Sequence, residues 1–164
     1  MSRVVRIAAI SVLLLMAGAL VLLLNQDAFQ ETETVVYENY DAASKAGAFE
    51  SGSLPKFLPR SATDIHEKRN FDYNRGIIAF SIRVEDWNTL SQICKKLPDD
   101  SLKEIRPAWV YWREKWFPES IVSGRTAELR SKGFDIYKVD YSTEFRKHWY
   151  LAYNHQTGRG YVWN

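Results

Sequence analysis

Asp64-Ile65-His66-Glu67, with Asp72 and Asn74 close behind, gathers three carboxylates and an imidazole in one short stretch. Side chains of these types ligate divalent cations or exchange protons as general acids and bases. Their spacing does not reproduce H-E-x-x-H or another strong zinc pattern. A plainer role suits the same residues: Asp64, Asp72 and Asn74 shape turns while His66 and Glu67 stay solvated. The plainer role is the expectation, with no metal and no cofactor.

A second stretch, Trp109-Val-Tyr111-Trp112-Arg113-Glu-Lys115-Trp116-Phe117, interleaves five aromatic rings with two cations. Trp109, Trp112 and Trp116 share a face of a helix, whereas Trp109 and Tyr111 share a face of a strand. Exposed, such rings stack on sugars, dock a partner or rest at a membrane interface. Buried, they form a heavy core segment, and a domain with six Trp must place them somewhere. Core is the expectation; if a binding surface exists, it falls on Trp109, Tyr111, Trp112, Arg113 and Trp116, or on the loop from Pro55 to Glu67.

The remaining reactive side chains carry weaker signals. Cys94 falls late in an apolar helical stripe and reads as a buried, inert thiol, because a nucleophilic thiolate needs a nearby cation, His or helix N-terminus. Ser120 and Ser123 read as surface positions of a helix, with no G-x-S-x-G around them. His148 and His155 flank a hairpin strand, with His155 exposed at a loop tip. There is no Walker A loop, no G-x-G-x-x-G and no C-x-x-C.

The 164 residues suit one domain with a real core, and a single Cys rules out an intramolecular disulfide framework. The formal net charge is +2. Setting Arg3 and Arg6 aside, the remaining Lys and Arg equal the 20 Asp and Glu in number. That neutrality argues against a nucleic-acid partner. Between Ile7 and Leu24 the chain carries no charge, and at 1.5 Å per helical residue it would span roughly 27 Å. Its arginines lie ahead of it and Asp27, Glu31 and Glu33 behind, which under the positive-inside rule directs the following residues across the membrane. The expected organisation is a cytoplasmic tail over 1–6, a transmembrane signal anchor over 7–24, a linker over 25–34 and an exported domain over 35–164. Such a protein sits in the inner membrane by one helix with its domain in the periplasm. Cleavage and secretion is the alternative, though no A-x-A-like site follows the run.

Within the domain, Asp41 to Gly47 reads as a short helix with an acidic N-cap. Pro55 and Pro59 favour extended or polyproline-like backbone around Phe57 and Leu58, and Ser61 to Asp64 caps a turn carrying Ile65 and His66. Gly76 to Val84 is the clearest strand. From Glu85 to Leu97 the spacing of Trp87, Leu90, Ile93, Cys94 and Leu97 predicts a helix ended by Pro98. Pro118 to Lys132 predicts another, with Gly133 as its stop. Phe134–Tyr141, Lys147–Tyr153 and Gly160–Trp163 read as an antiparallel meander, its last loop supplied with Asn and Gly.

The stretch Gly52-Ser-Leu-Pro55-Lys-Phe-Leu-Pro59-Arg-Ser61-Ala62-Thr-Asp64-Ile65-His-Glu67, followed by Asp72-Tyr-Asn74 and Phe80, resembles the YbbD-like family of small bacterial envelope-associated proteins. Ser53 stands where that family's pattern has an aromatic residue, and Tyr73 where it has a small one. The resemblance implies an envelope-associated bacterial protein and a structural role for the double-proline loop. It implies no reaction, cofactor or catalytic residue.

The expected fold class is therefore α+β: an N-terminal transmembrane helix, then a two-layer domain of mainly antiparallel sheet with two to three helices. The expected function is a membrane-anchored periplasmic binding or interaction module with a protein partner in the envelope. The runner-up is an envelope hydrolase built on Asp64, His66, Glu67 or Asp72, with or without a metal. A structural or regulatory subunit of a membrane complex is the third reading.

Overall fold

The computed structural model describes residues 12, 14–16, 18, 32–70, 75–98, 100–105, 107, 114–141 and 148–164. The chain divides into two units, Met1–Glu31 and Thr32–Asn164. In the first, Val12, Leu14, Leu15, Met16 and Gly18 are helical and exposed, and the rest of the unit lies outside the described residues. Among the described residues no helix is long and apolar enough to cross a membrane. The fold expected to start with a transmembrane helix is corrected on that ground, since a span needs about 20 consecutive apolar helical residues.

The second unit runs β1 (Thr32–Asn39), α1 (Tyr40–Lys45), β2 (Thr63–Asn70), β3 (Arg75–Ser81), a 3-10 turn (Val84–Asp86) into α2 (Trp87–Ser91), β4 (Cys94–Lys96), α3 (Leu102–Ile105), α4 (Glu119–Val122), α5 (Thr126–Ser131), β5 (Phe134–Val139), β6 (Trp149–Asn154) and β7 (Arg159–Trp163). Among the described residues the strands join one seven-stranded antiparallel sheet in the order β1-β2-β3-β7-β6-β5-β4. The two-layer α+β expectation gives way to a mostly antiparallel sheet with few short helices.

The reason lies in the pleat, which sends alternate side chains to opposite faces. Ile78, Phe80, Tyr137, Val139, Leu151, Tyr153 and Val162 meet Leu54, Leu58, Phe49 and Leu90 on one face. Ile77, Ile136, Ala152 and Trp163 meet Phe117, Ile121 and Leu129 on the other. Both faces are thus apolar, and each needs its own cover. The loop around Phe49–Leu58 covers the first; α4, α5 and Phe117 cover the second.

Local chemistry explains the departures. α1 forms as expected, but its cap is Asn39, whose Oδ1 accepts from the Ala42 N–H at 2.9 Å, while Asp41 sits in the first turn. The double-proline loop is a pair of tight turns and not an extended stretch: Leu58 donates to the Pro55 carbonyl and Ala62 to the Pro59 carbonyl. Thr63–Asn70, expected to begin as a capped turn, is strand because β1 and β3 pair with it on both sides. The helix from Glu85 stops at Ser91, and Cys94–Lys96 instead pairs with β5. The helix expected over 118–132 is broken in two at Gly124, whose φ of +71° a helix cannot contain. The meander β5-β6-β7 stands where the sequence places it.

Candidate functional site

The pleat of β2 separates the residues of the Asp64–Glu67 cluster. Ile65 and Glu67 point to the first face, under the double-proline loop; His66 points to the second, toward Trp116. Asp72 and Asn74 lie outside the described residues, as do Trp109, Tyr111, Trp112 and Arg113.

On the second face, residues distant in sequence converge. His66 Nε2 lies 2.8 Å from Asp64 Oδ1. An ionised carboxylate only accepts hydrogen bonds, so Nε2 carries the proton in this pair. Asp64 Oδ2 accepts from Arg159 Nη1 at 2.5 Å, and the same nitrogen donates to Ser81 Oγ at 3.0 Å. Burial pulls the Asp64 carboxyl upward, but the His66 bond and the Arg159 charge outweigh it and hold the group below its ordinary range. A bulge between Thr63 and His66 and a φ of +49° at Asp64 aim this side chain at β7. The Arg159 guanidinium lies 5.5 Å from the centre of the Tyr161 ring. The His66 and Trp116 rings lie 5.4 Å apart. Lys68 Nζ, next along the same face, pairs with Glu114 Oε1 at 2.8 Å.

The same strip borders an open cleft of about 560 Å³ lined by Arg60, Ser61, Thr63, Ser81, Ile82 and Arg83. Arg83 Nε is held by Asp86 Oδ2 at 3.0 Å. Asp86 stays below the usual carboxylate range first through its approach to the Ser61 hydroxyl and then through Arg83. That approach falls short of hydrogen-bond geometry, and Ser61 Oγ is buried without a hydrogen-bond partner.

Glu67, expected in solvent, is only 3% exposed, and its Oε2 has no hydrogen-bond partner. Burial pushes its carboxyl up to about 7, against the opposing pull of the Ser53 hydroxyl and the Arg69 charge. Tyr37, opposite Ile65 on β1, is raised by burial and by Glu67.

A further cluster escaped the sequence reading. His155 lies 2.8 Å from Tyr137 Oη and 3.5 Å from Asp135 Oδ2. Asp135 also binds Lys96 at 2.9 Å and Arg130. Trp87 stacks on Tyr153 at 4.3 Å and meets His155 edge-on. His155 is therefore tied into the sheet, and not merely exposed at a loop tip. Burial and the Asp135 carboxylate raise the Tyr137 hydroxyl, the opposite of what a nucleophile or base requires. Cys94 likewise has its thiol pushed up to about 12 by burial. Ser120, expected on a helix surface, is buried with no partner for its Oγ, while Ser123 Oγ donates to the Glu119 carbonyl. Among the described residues no group of three His, Cys, Asp or Glu is arranged to hold a metal ion.

Residues 31–81 match the YbbD head domain. This stretch is YbbD-like. The match covers just under a third of the chain and takes in β1, α1, the double-proline loop, β2 and β3. The YbbD-like head therefore supplies Val36, Asp64, His66, Glu67, Arg60 and Ser81, while Trp116 and Arg159 come from outside it. Neither the comparison with curated proteins nor that with solved structures gives a match.

Proposed function

We propose that the chain is a binding module that takes up an extended segment of a protein partner along β1 of its YbbD-like head. The observation that carries this reading is the character of that edge. Among the described residues β1 pairs with β2 alone, so one side of an eight-residue strand keeps its backbone donors and acceptors unpaired. Such an edge is a template for strand addition. Val36, 59% exposed, stands on it opposite His66, with Trp116 beyond. An apolar contact next to an aromatic ring is what an added strand needs for side-chain specificity.

An exported setting, read from the uncharged run and the arginines ahead of it, belongs to the same proposal and is checked by protease accessibility in intact and permeabilised cells. The binding role is tested by affinity capture with the full chain and with Val36→Lys, a charge of the kind that blocks edge pairing. A protein captured by the wild type and lost with V36K supports the reading. Equal capture by both, or none by either, removes its basis.

A further inference from the structure

We infer that the cleft between the start of β2 and the end of β3 binds a small molecule through an oxyanion group, a carboxylate or a phosphate, anchored by Arg60. This rests on the reading of the chain as a binding module and assigns a second ligand class to the same YbbD-like head.

The ion pairs around the cleft set Arg60 apart. Three guanidinium groups lie at or beside it. Arg83 is shared by Asp86 at 3.0 Å and Glu85 at 3.7 Å, and Arg159 is held by Asp64. Arg60, exposed, has no ion-pair partner among the described residues. Among the described residues no carboxylate pairs with the Arg60 guanidinium, whose planar fork matches an oxyanion with two parallel bonds.

The lining supplies further donors. Thr63 and Ser81 are direct cross-strand partners, and both line the cleft. Ser81 Oγ accepts from Arg159, which leaves its own O–H to donate into the cleft. Ile82 gives the lining an apolar member. At about 560 Å³ the space is far larger than an oxyanion alone and lies within the usual range for small-molecule sites.

The test is an amide-resolved NMR titration of the isotopically labelled full chain with inorganic phosphate, at constant ionic strength maintained with chloride. A parallel series uses acetate. Saturable shifts at Ser61, Thr63, Ser81 and Ile82 in either series are expected, and the series that saturates at lower concentration identifies the preferred anion. Arg60→Ala should weaken that binding at least tenfold, Arg60→Gln should do the same, and Arg60→Lys should restore part of it. Because Arg60 is exposed, an unchanged amide spectrum outside the cleft verifies that each variant is folded. Shifts that rise linearly, spread over all basic surfaces, or survive both R60A and R60Q overturn the inference. If phosphate and acetate both fail while capture through β1 persists, the cleft proposal alone falls. If capture fails with V36K irrelevant but the anion still saturates, the β1 reading alone falls.

Discussion

His66 and Trp116 come from opposite halves of the chain, yet their rings lie 5.4 Å apart at an angle of 37°. The contact joins two stretches that are chemically unusual for different reasons, one rich in carboxylates and the other in aromatics. The bridge exists because β2 is a strand: its pleat turns His66 to the face that Phe117, α4 and α5 cover.

Trp116→Ala tests whether the contact serves binding or only packing. Trp116 is half-buried against the second core, so its loss should cost about 2 kcal/mol, less than the 3–5 expected of a fully buried ring. His66→Ala removes less apolar surface and should cost under about 1 kcal/mol. Both should reduce partner capture. Denaturant unfolding beside capture yield separates the effects: a His66→Ala variant of normal stability that captures normally would place the site elsewhere.

Asp64 carries an ion pair and a left-handed backbone together. Its side chain is 58% exposed, so the bond to Arg159 is screened and Asp64→Asn should cost at most about 1 kcal/mol. Asn also tolerates a φ of +49°, whereas Ala does not, and Asp64→Ala should therefore cost about 1 kcal/mol more than Asp64→Asn. Equal stability of the two variants would contradict the backbone argument.

Glu67 sets an unusual pH dependence. Its folded carboxyl stands at about 7 against an ordinary 4.5, so the folded chain holds this proton more tightly than the unfolded chain. The stabilisation is complete below pH 4.5 and is lost as pH rises through 7, up to about 3 kcal/mol in all. Asp64 and Asp135, both held low, act in the opposite sense: their contribution is present above about 3.8 and disappears as pH falls below it. Thermal unfolding should thus show a higher Tm at pH 5 than at pH 8. Glu67→Gln should flatten that difference and raise Tm at pH 8. A wild-type Tm that is level from pH 5 to 8 would contradict it.

Gly158 closes the β6–β7 loop at a φ of +71°, and its carbonyl accepts from the Ile82 N–H at 2.9 Å. A Cβ there would meet the Ile82 carbonyl oxygen at 2.0 Å. Gly158→Ala should destabilise by about 2–4 kcal/mol, read from denaturant midpoints, and disturb Arg159 beside it. A loss under about 0.5 kcal/mol would mean that the loop relaxes freely.

What the sequence revealed followed local rules. The strand around Ile77–Phe80 is β-branched and aromatic, and the β5-β6-β7 meander shows apolar alternation closed by an Asn and Gly loop. What it concealed depended on partners. Thr63–Asn70 is too polar to read as a strand until β1 and β3 flank it, and Cys94–Lys96 continues a helical spacing until β5 pairs with it. The burial of Glu67 follows from that unread strand, since a turn would have left it in water. Asp64 and Arg159 meet because β3 holds β2 on one side and β7 on the other, a relationship that no local spacing encodes. The Trp-rich stretch resolved in part: Phe117 is core and Trp116 lies at the core's edge.

The binding role of β1 is tested most directly by photocrosslinking in cells from a probe placed at position 36 of the full chain, with position 95 on the opposite edge strand as control. A protein adduct that forms from position 36, is absent from position 95 and is lost when Trp116→Ala is added is the expected result. Equal adducts from both edges, or none from position 36, would contradict the role assigned to this strand.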